Sequence, residues 1–209
     1  MKVKKTRRIK QSPKLPAETR RYQLLKAAHK LFDKKGYRAT TLDEIAHGAG
    51  LTKGAVYHHF KNKEAILLEL THLILNAYKD GVRDLPKGSL RPGDLILHLK
   101  EIDEGTSMHK ARYNMSLLVE VIKVKQVRQT IEDGYEEFLK LCDRCLDPSL
   151  VRSRKMIRQI TILTVNFYDG LCWGAFMYPT HIDFDKQASL FASLFNKEKS
   201  DNMKAQRAK

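Results

Sequence analysis

The sequence predicts an all-α protein, in which a small basic module of helices precedes a larger helical body. Apolar residues recur at helical spacing through most of the 209 residues, and no segment alternates apolar and polar residues as a half-buried strand does. The charge divides the chain in a similar way. Residues 1–66 hold 17 Lys and Arg against five Asp and Glu, a net +12 of the total +15, and the remaining residues carry only +3.

The first helix is predicted over residues 17–35. Pro16 suits the start of a helix, and Gly36 is a good C-terminal stop. The apolar residues of this segment form one stripe, with Lys and Arg on the opposite face. The stripe consists of Tyr22, Leu24, Leu25, Ala28, Leu31 and Phe32.

Three more helices are predicted to follow closely. Thr41 and Glu44 form a capping-box pattern that begins the second helix, and a Gly-Ala-Gly sequence then ends it. Thr52 can cap a third short helix that ends just before Phe60. A fourth helix is expected over residues 62–78, which again carry apolar residues at helical spacing.

The body is predicted to consist of five further helices separated by breaks. A loop is expected over residues 81–93, and Pro148 and Pro179 stop the helices that precede them. The expected helices lie at about 94–104, 108–123, 125–147, 150–178 and 184–196.

These elements divide the chain into four segments. Residues 1–16 form a basic arm that we expect to be disordered, residues 17–78 the helical module, residues 79–197 the body and residues 198–209 a basic tail. Such an asymmetry of charge indicates a polyanionic partner, either a nucleic acid or an anionic membrane surface. The charge alone leaves open the alternative of a solvated basic face with a free tail.

Several classes of protein are disfavoured by composition. No apolar run approaches the ~20 residues of a membrane span, and no apolar segment follows the basic N-terminus as in a signal peptide. The three cysteines, Cys142, Cys145 and Cys172, are too few for a disulfide framework and suit a reducing cytoplasm. No pattern of a serine hydrolase, P-loop or zinc protease occurs, so we expect neither an enzyme nor a cofactor.

Residues 41–60 form the most informative motif. Two short helices joined by a tight glycine-containing turn are typical of a helix-turn-helix, whose second helix enters the major groove of DNA. The apolar residues of both helices supply a small core, and the other positions of the second helix face outward. Those outward positions are Lys53, Gly54, Tyr57 and His58.

A longer pattern of residues runs unbroken across the first four helices. It consists of Ala27-Ala28, Leu31-Phe32, Gly36-Tyr37, Thr40-Thr41, Ile45-Ala46, Ala49-Gly50-Leu51-Thr52-Lys53-Gly54, Tyr57-His58-His59-Phe60 and Lys63-Glu64. Over residues 17–78 this pattern resembles the TetR family of bacterial transcriptional regulators. The resemblance implies a three-helix DNA-binding domain, a linking fourth helix and a body that binds a ligand and dimerises.

The resemblance also implies which residues contact DNA. Base-edge or groove contacts are expected from Thr52, Lys53, Gly54 and Tyr57, and phosphate contacts from Thr41, Tyr57, His58 and Lys63. The side-chain chemistry agrees, because Lys can donate to guanine and the hydroxyls of Thr and Tyr can reach phosphate oxygens. The basic arm either reaches an adjacent minor groove or stays solvated, and the sequence leaves both open.

We therefore expect a homodimeric repressor that binds a palindromic operator in double-stranded DNA and is released by a small-molecule effector. The dimer interface is predicted in the helices at 150–178 and 184–196, where Asp169-Gly170-Leu171 resembles the dimer helix of the family. The effector's identity is not readable from the sequence. Candidate effector contacts, chosen by residue type, are His109, Tyr113, Met115, Phe138, Asn166, Phe167 and Trp173.

Two other functions stay open at this point. Cys142 and Cys145 form a CxxC pattern, which elsewhere marks redox or zinc sites, although no second ligand pair lies nearby. A regulator that senses redox state or a metal through these thiols is one alternative. The other is a protein that binds polyanions or a membrane surface nonspecifically through its basic arm.

Overall fold

The computed structural model describes residues 16–105, 122–150 and 153–196 of the chain. Within these ranges it contains eight α-helices, which we number in chain order: α1 (Ala17–Lys35), α2 (Leu42–Gly48), α3 (Lys53–His59), α4 (Lys63–Arg83), α5 (Pro92–Gly105), α6 (Lys125–Cys145), α7 (Arg154–Met177) and α8 (Phe184–Asn196). The same ranges contain no β-strand beyond an isolated bridge between Leu90 and Leu146. The predicted all-α class is confirmed.

The first helices begin where their capping signals predict. The hydroxyls of Thr41 and Thr52 each accept a 3.3 Å hydrogen bond from the N–H three residues later. The side chain of Asn62 accepts a 2.8 Å bond from the N–H of Ala65 in the same way. Each such cap contributes about 1 kcal/mol, and because each is a local interaction it can be predicted from neighbouring residues.

The bounds predicted for the loop over residues 81–93 are wrong at both ends. α4 continues to Arg83 and α5 begins at Pro92, so that only residues 84–91 connect them. Gly81 lies inside α4. The position requires glycine because the side chain of Ile102 occupies the place where a β-carbon would stand. This glycine therefore marks a close approach of two helices and not a loop.

Part of the expected architecture lies outside the described residues. Residues 106–121, which hold most of the helix expected at 108–123, are among them. So are residues 1–15 of the basic arm and the tail at 198–209.

The first of two hydrophobic cores joins α1, α2, α3 and α4. Ile45, Val56 and Ile66 are fully buried in it, and one of its members, Val127, comes from α6. Tyr22 was predicted in the buried stripe of α1 but is 49% exposed. The residues that α1 does bury are Leu24, Leu25, Ala27, Ala28 and Phe32.

The second core fills the body between α4, α5, α6, α7 and α8. Tyr78 and Val82 of α4 belong to it. α6 crosses α4 closely, because Gly134 leaves room for the side chain of Leu75. α4 thus takes part in both cores and connects the helix-turn-helix to the body. No helix within the described ranges is long and apolar enough to cross a membrane.

Candidate nucleic-acid interface

The turn between α2 and α3 is closed by backbone hydrogen bonds. The N–H of Leu51 donates to the carbonyl of Ala46 at 2.9 Å, and the N–H of Gly50 donates to that of His47 at 3.0 Å. Gly50 has a φ of +68°, a conformation that residues with a β-carbon rarely adopt. The predicted helix-turn-helix is therefore confirmed.

The recognition helix α3 has one buried and one exposed side. Val56 is fully buried and Phe60, directly after the helix, is 2% exposed, so both residues anchor α3 on the first core. Tyr57, in contrast, is 51% exposed. The exposed side also carries other residues predicted to contact DNA, namely Thr52, Lys53, Gly54 and His58.

Gly54 keeps the first turn of α3 free of a side chain. Among the residues that the structure describes, a β-carbon at this position would meet only the Oγ1 of Thr52, at 3.9 Å. The interior of the protein therefore does not require glycine here. Its effect is on the outer surface, where another molecule can approach the backbone closely.

Lys53 is paired with a carboxylate of the preceding helix. Its Nζ donates a 2.9 Å hydrogen bond to the Oδ2 of Asp43, in the first turn of α2. Both side chains are well exposed, at 62% and 59%. The hydrogen bond and the charge of Asp43 raise the pKa of Lys53, so the ammonium stays protonated.

Thr41 is exposed at the start of α2, within a complete capping box. Its hydroxyl and its backbone N–H each donate to the Oε2 of Glu44 at 2.8 Å. Glu44 also forms an ion pair with Lys35 of α1. The hydrogen bond from Lys35, followed by those from Thr41, lowers the pKa of Glu44 to about 2.

The two adjacent histidines differ in exposure. Their ring centroids are 5.1 Å apart in an edge-to-face arrangement, with His58 exposed and His59 partly buried. Burial lowers the pKa of His59, and the neighbouring His58, Arg21 and Arg20 lower it further. His58 is therefore the one of the two that is open to an external anion.

Lys63 is oriented differently from the other predicted contact residues. Its Nζ donates to the carbonyl oxygens of Tyr37 at 2.7 Å, Arg38 at 3.1 Å and Thr40 at 2.7 Å. An ammonium has three N–H donors, and these carbonyls engage all three. Lys63 thus holds the loop between α1 and α2, and a phosphate contact would require it to leave these carbonyls.

A further residue at this site, Arg21, was not predicted. Its Nε donates to the Oε1 of Glu69 in α4 at 2.6 Å, and its Nη1 donates to the carbonyl of His59 at 3.0 Å. The guanidinium also lies 4.6 Å from the ring centroid of Phe60. Arg21 therefore links α1, α4 and the end of the recognition helix. A local sequence pattern cannot predict this role, because Arg21 and Glu69 are 48 residues apart in the chain.

The predicted effector contacts lie in different surroundings. Phe138 is buried in the second core, with its ring 5.9 Å from that of Tyr78. Asn166 is exposed and accepts a 3.2 Å hydrogen bond from Tyr135, whereas Phe167 is 36% exposed and stacks on α8. Trp173 is partly buried in α7. The remaining three, His109, Tyr113 and Met115, lie outside the described residues.

The CxxC thiols are enclosed by the body. Cys142 and Cys145 are fully buried, and the thiol of Cys145 donates to the carbonyl of Val82 at 3.5 Å. Burial, together with Cys145, raises the pKa of Cys142, so that this thiol stays protonated and unreactive. Among the residues that the structure describes, no three His, Cys, Asp or Glu gather as a metal ion requires. This geometry gives the redox and metal alternative no support.

Exposed apolar side chains concentrate on α7 and α8. Leu163 is 67% exposed and Leu190 58% exposed. Gly170, in the same helix as Leu163, has no atom of residues 16–105, 122–150 or 153–196 within 4 Å of the place where a β-carbon would stand. By helical spacing Met156, Leu163, Phe167 and Met177 share the side of α7 that carries Gly170, whereas the exposed Phe176 lies on another side. We call this side of α7, together with the exposed Leu190 and Leu194 of α8, the α7–α8 face.

Comparisons with known proteins bear on the same regions. The family model for bacterial regulatory proteins of the tetR family matches residues 24–70, which include the whole helix-turn-helix. The chain is 25% identical to the HTH-type transcriptional regulator AcrR of Shigella flexneri over 194 residues, 87% of this chain and 89% of that protein. It is 39% identical to the HTH-type transcriptional repressor KstR2 of Mycobacterium tuberculosis over 74 residues, which span 35% of this chain and 37% of that protein.

A solved structure extends the similarity of fold beyond the helix-turn-helix. GusR of Salmonella enterica superposes with a TM-score of 0.64 at 16% identity, covering 90% of this chain and 98% of that chain. At this identity the likeness concerns the fold alone. The curated relatives are named as regulators of transcription, in agreement with the expectation that the chain is not an enzyme.

Proposed function

Because this chain belongs to the TetR family of bacterial regulatory proteins, we propose that it is a cytoplasmic, homodimeric repressor that binds a palindromic operator and is released by a small molecule. As a member of the family it is a DNA-binding transcriptional regulator; the repressor role, the operator, the dimer and the effector are the proposal. The observation that carries it is the exposed side of α3, where Lys53, Tyr57 and His58 lie on a helix anchored by Val56.

In this proposal residues 17–78 form the DNA-binding domain and residues 79–197 the regulatory body, with the basic arm and tail outside them. α3 enters the major groove, where side chains can read base edges. Lys53 and Tyr57 are long enough to reach the bases, and the slim first turn at Gly54 lets the helix approach.

Phosphate contacts are assigned to the residues around the ends of these helices. The exposed ring of His58 can donate to a phosphate oxygen, and so can the exposed hydroxyl of Thr52, which was predicted as a base-edge or groove contact. The hydroxyl of Thr41 has a single donor, which Glu44 engages, so a phosphate contact from Thr41 requires it to leave that carboxylate. Lys63 receives a different role from the one predicted. Since it holds the carbonyls of the loop that ends before Thr41, we assign it to positioning that loop.

The dimer is assigned to the α7–α8 face. Exposed apolar side chains gathered on one surface favour association, because burying them removes apolar area from water. Glycine inside a helix costs about 0.5–1 kcal/mol relative to alanine, and among the described residues none comes within 4 Å of the β-carbon position of Gly170. Close approach of the partner's helix at this position explains why the residue is glycine. Asn166 and Phe167 then belong to this interface and not to an effector site.

The effector is assigned to the body, where Phe138 is the candidate that lies inside the core. α4 contributes to both cores, and α6 places Val127 in the first core and Phe138 in the second. A ligand that displaces α4 or α6 in the body therefore also moves the helix-turn-helix. In a dimer such a movement changes the spacing of the two recognition helices, so effector and operator weaken each other's binding equally.

The test is selection of DNA from a random-sequence duplex library by the full chain, followed by footprinting and measurement of stoichiometry. We expect enrichment of an inverted repeat whose half-sites are centred about one helical turn apart, bound by two chains. Failure to enrich any sequence, or enrichment of a single half-site bound by one chain, would contradict the proposal.

A further inference from the structure

The ion pair between Lys53 and Asp43 lies at the centre of the proposed DNA surface. The Nζ to Oδ2 distance is 2.9 Å, and the pair joins the first residue of α3 to the first turn of α2. Lys53 is the only Lys or Arg in the segments Leu42–Gly48 and Lys53–His59. The only full positive side-chain charge of these two helices is therefore held by a carboxylate.

Stability of the fold does not explain this pair. Ion pairs between exposed side chains contribute little, and both partners here are about 60% exposed. The two helices are already fixed by the Thr41 and Thr52 caps, by the turn at Gly50 and by the burial of Val56. The pair is better explained by what Lys53 does on DNA.

The carboxylate changes which acceptor Lys53 favours. An ammonium has three donors, and Asp43 uses one, which leaves two for the O6 and N7 acceptors of a guanine. The guanine edge is neutral, so it can share the ammonium with Asp43. A phosphate oxygen carries a negative charge, and bringing it to the same ammonium places two anions side by side.

We propose that Asp43 is a specificity-determining residue, which acts by directing Lys53 to a base edge and away from the DNA backbone. This inference rests on the proposed function, because it requires α3 to lie in the major groove. Asp43 itself need not touch DNA. It suppresses the sequence-independent binding that Lys53 would otherwise add through phosphate contact.

The test compares two duplexes, the one selected from the random library by the wild-type chain and a scrambled duplex of the same composition. Asp43→Asn is expected to strengthen binding to the scrambled duplex and, as one added phosphate contact does, to steepen its salt dependence by about 0.9. The affinity of the variant for this duplex should therefore fall about 3.5-fold more than that of wild type between 50 and 200 mM salt. Binding to the selected duplex should change less, so the ratio of the two affinities falls.

Three control variants separate this effect from a change of net charge or of fold. Asp33→Asn makes the same change of charge at an exposed position of α1 and should leave the affinity ratio as in wild type. Asp43→Glu keeps a carboxylate and should restore most of the ratio. In a Lys53→Ala background, Asp43→Asn should no longer change the ratio, because the residue through which Asp43 acts is absent.

The possible failures are distinguishable. An unchanged ratio in Asp43→Asn, or an equal fall in Asp33→Asn, would overturn the inference while leaving operator binding intact. The same shift of the ratio with and without Lys53 would also overturn it. If wild type selects no duplex, the proposed function fails instead. Circular dichroism of each variant verifies that the helices are retained.

Discussion

The guanidinium of Arg21 in α1 donates a 3.0 Å hydrogen bond to the carbonyl oxygen of His59, the last residue of the recognition helix. The final carbonyls of a helix have no partner within it, and α3 has only seven residues. Arg21 satisfies one of these carbonyls and is itself held by Glu69. The end of α3 is thereby tied to α1 and α4.

Replacing Arg21 should loosen the recognition helix. Arg21→Ala removes a charge-assisted hydrogen bond from a partly exposed site, so we expect the free energy of unfolding to fall by about 1 kcal/mol. Hydrogen exchange of the α3 amides should accelerate, and affinity for the selected duplex should fall with it. Arg20→Ala removes the same charge from the preceding position and serves as the control. Equal exchange rates in α3 for both variants would contradict this role.

The exposed side of α3 should carry the recognition of DNA. Lys53→Ala and Tyr57→Ala are each expected to weaken binding to the selected duplex by about one to two orders of magnitude, the cost of about 1–3 kcal/mol for a lost base contact. Lys140→Ala, which removes an exposed charge from α6, is the matched control. Binding isotherms and circular dichroism provide the measurement. Wild-type affinity in both α3 variants would exclude this face as the DNA surface.

The α7–α8 face offers a test of dimerisation that does not depend on destabilising the chain. Gly170→Ala and Gly170→Leu both raise helix propensity by about 1 kcal/mol, and the part of the chain that the structure describes leaves the β-carbon position open. The folded chain should therefore tolerate both. The larger side chain should nevertheless separate a partner helix, so sedimentation velocity should show Gly170→Leu as a monomer at concentrations where wild type is a dimer. A Gly170→Leu dimer as strong as wild type would show that the interface lies elsewhere.

The lowered pKa of Glu44 predicts how the stability of the helix-turn-helix changes with pH. Its pKa is lowered from 4.5 to about 2 by the hydrogen bond from Lys35 and by those from Thr41. The unfolded chain therefore takes up the proton first as pH falls. The stabilisation is present above pH 4.5 and is lost as pH decreases through 2.

Urea unfolding as a function of pH measures this contribution. Glu44→Gln keeps a capping-box side chain but cannot pair as an anion with Lys35. We expect this variant to be less stable than wild type at neutral pH and to converge with it as pH approaches 2. A constant difference between the two proteins across that range would show that the ionised carboxylate is not the cause.

The helix starts and the motif could be predicted because their signals are local. Thr41, Thr52 and Asn62 cap helices through atoms three residues away, and the stripe of α1 follows from helical spacing. Gly81 shows where such reasoning fails. A glycine is typical of a loop, but here it accommodates Ile102 from another helix, and that contact depends on how α4 and α5 cross.

At the proposed DNA surface, too, some features follow from local sequence and others depend on how the helices pack. Residue types and spacing identified the helix-turn-helix and its outward positions, because a seven-residue helix with Val56 buried leaves few alternatives. Whether each cation is free or engaged depended on the packing of α1, α2 and α4 around that helix. Lys63 meets carbonyls 23 to 26 residues away, Arg21 meets a carboxylate 48 residues away, and Lys53 meets Asp43 across the turn. Periodicity carries no information about such partners, since they are brought together only when the helices pack.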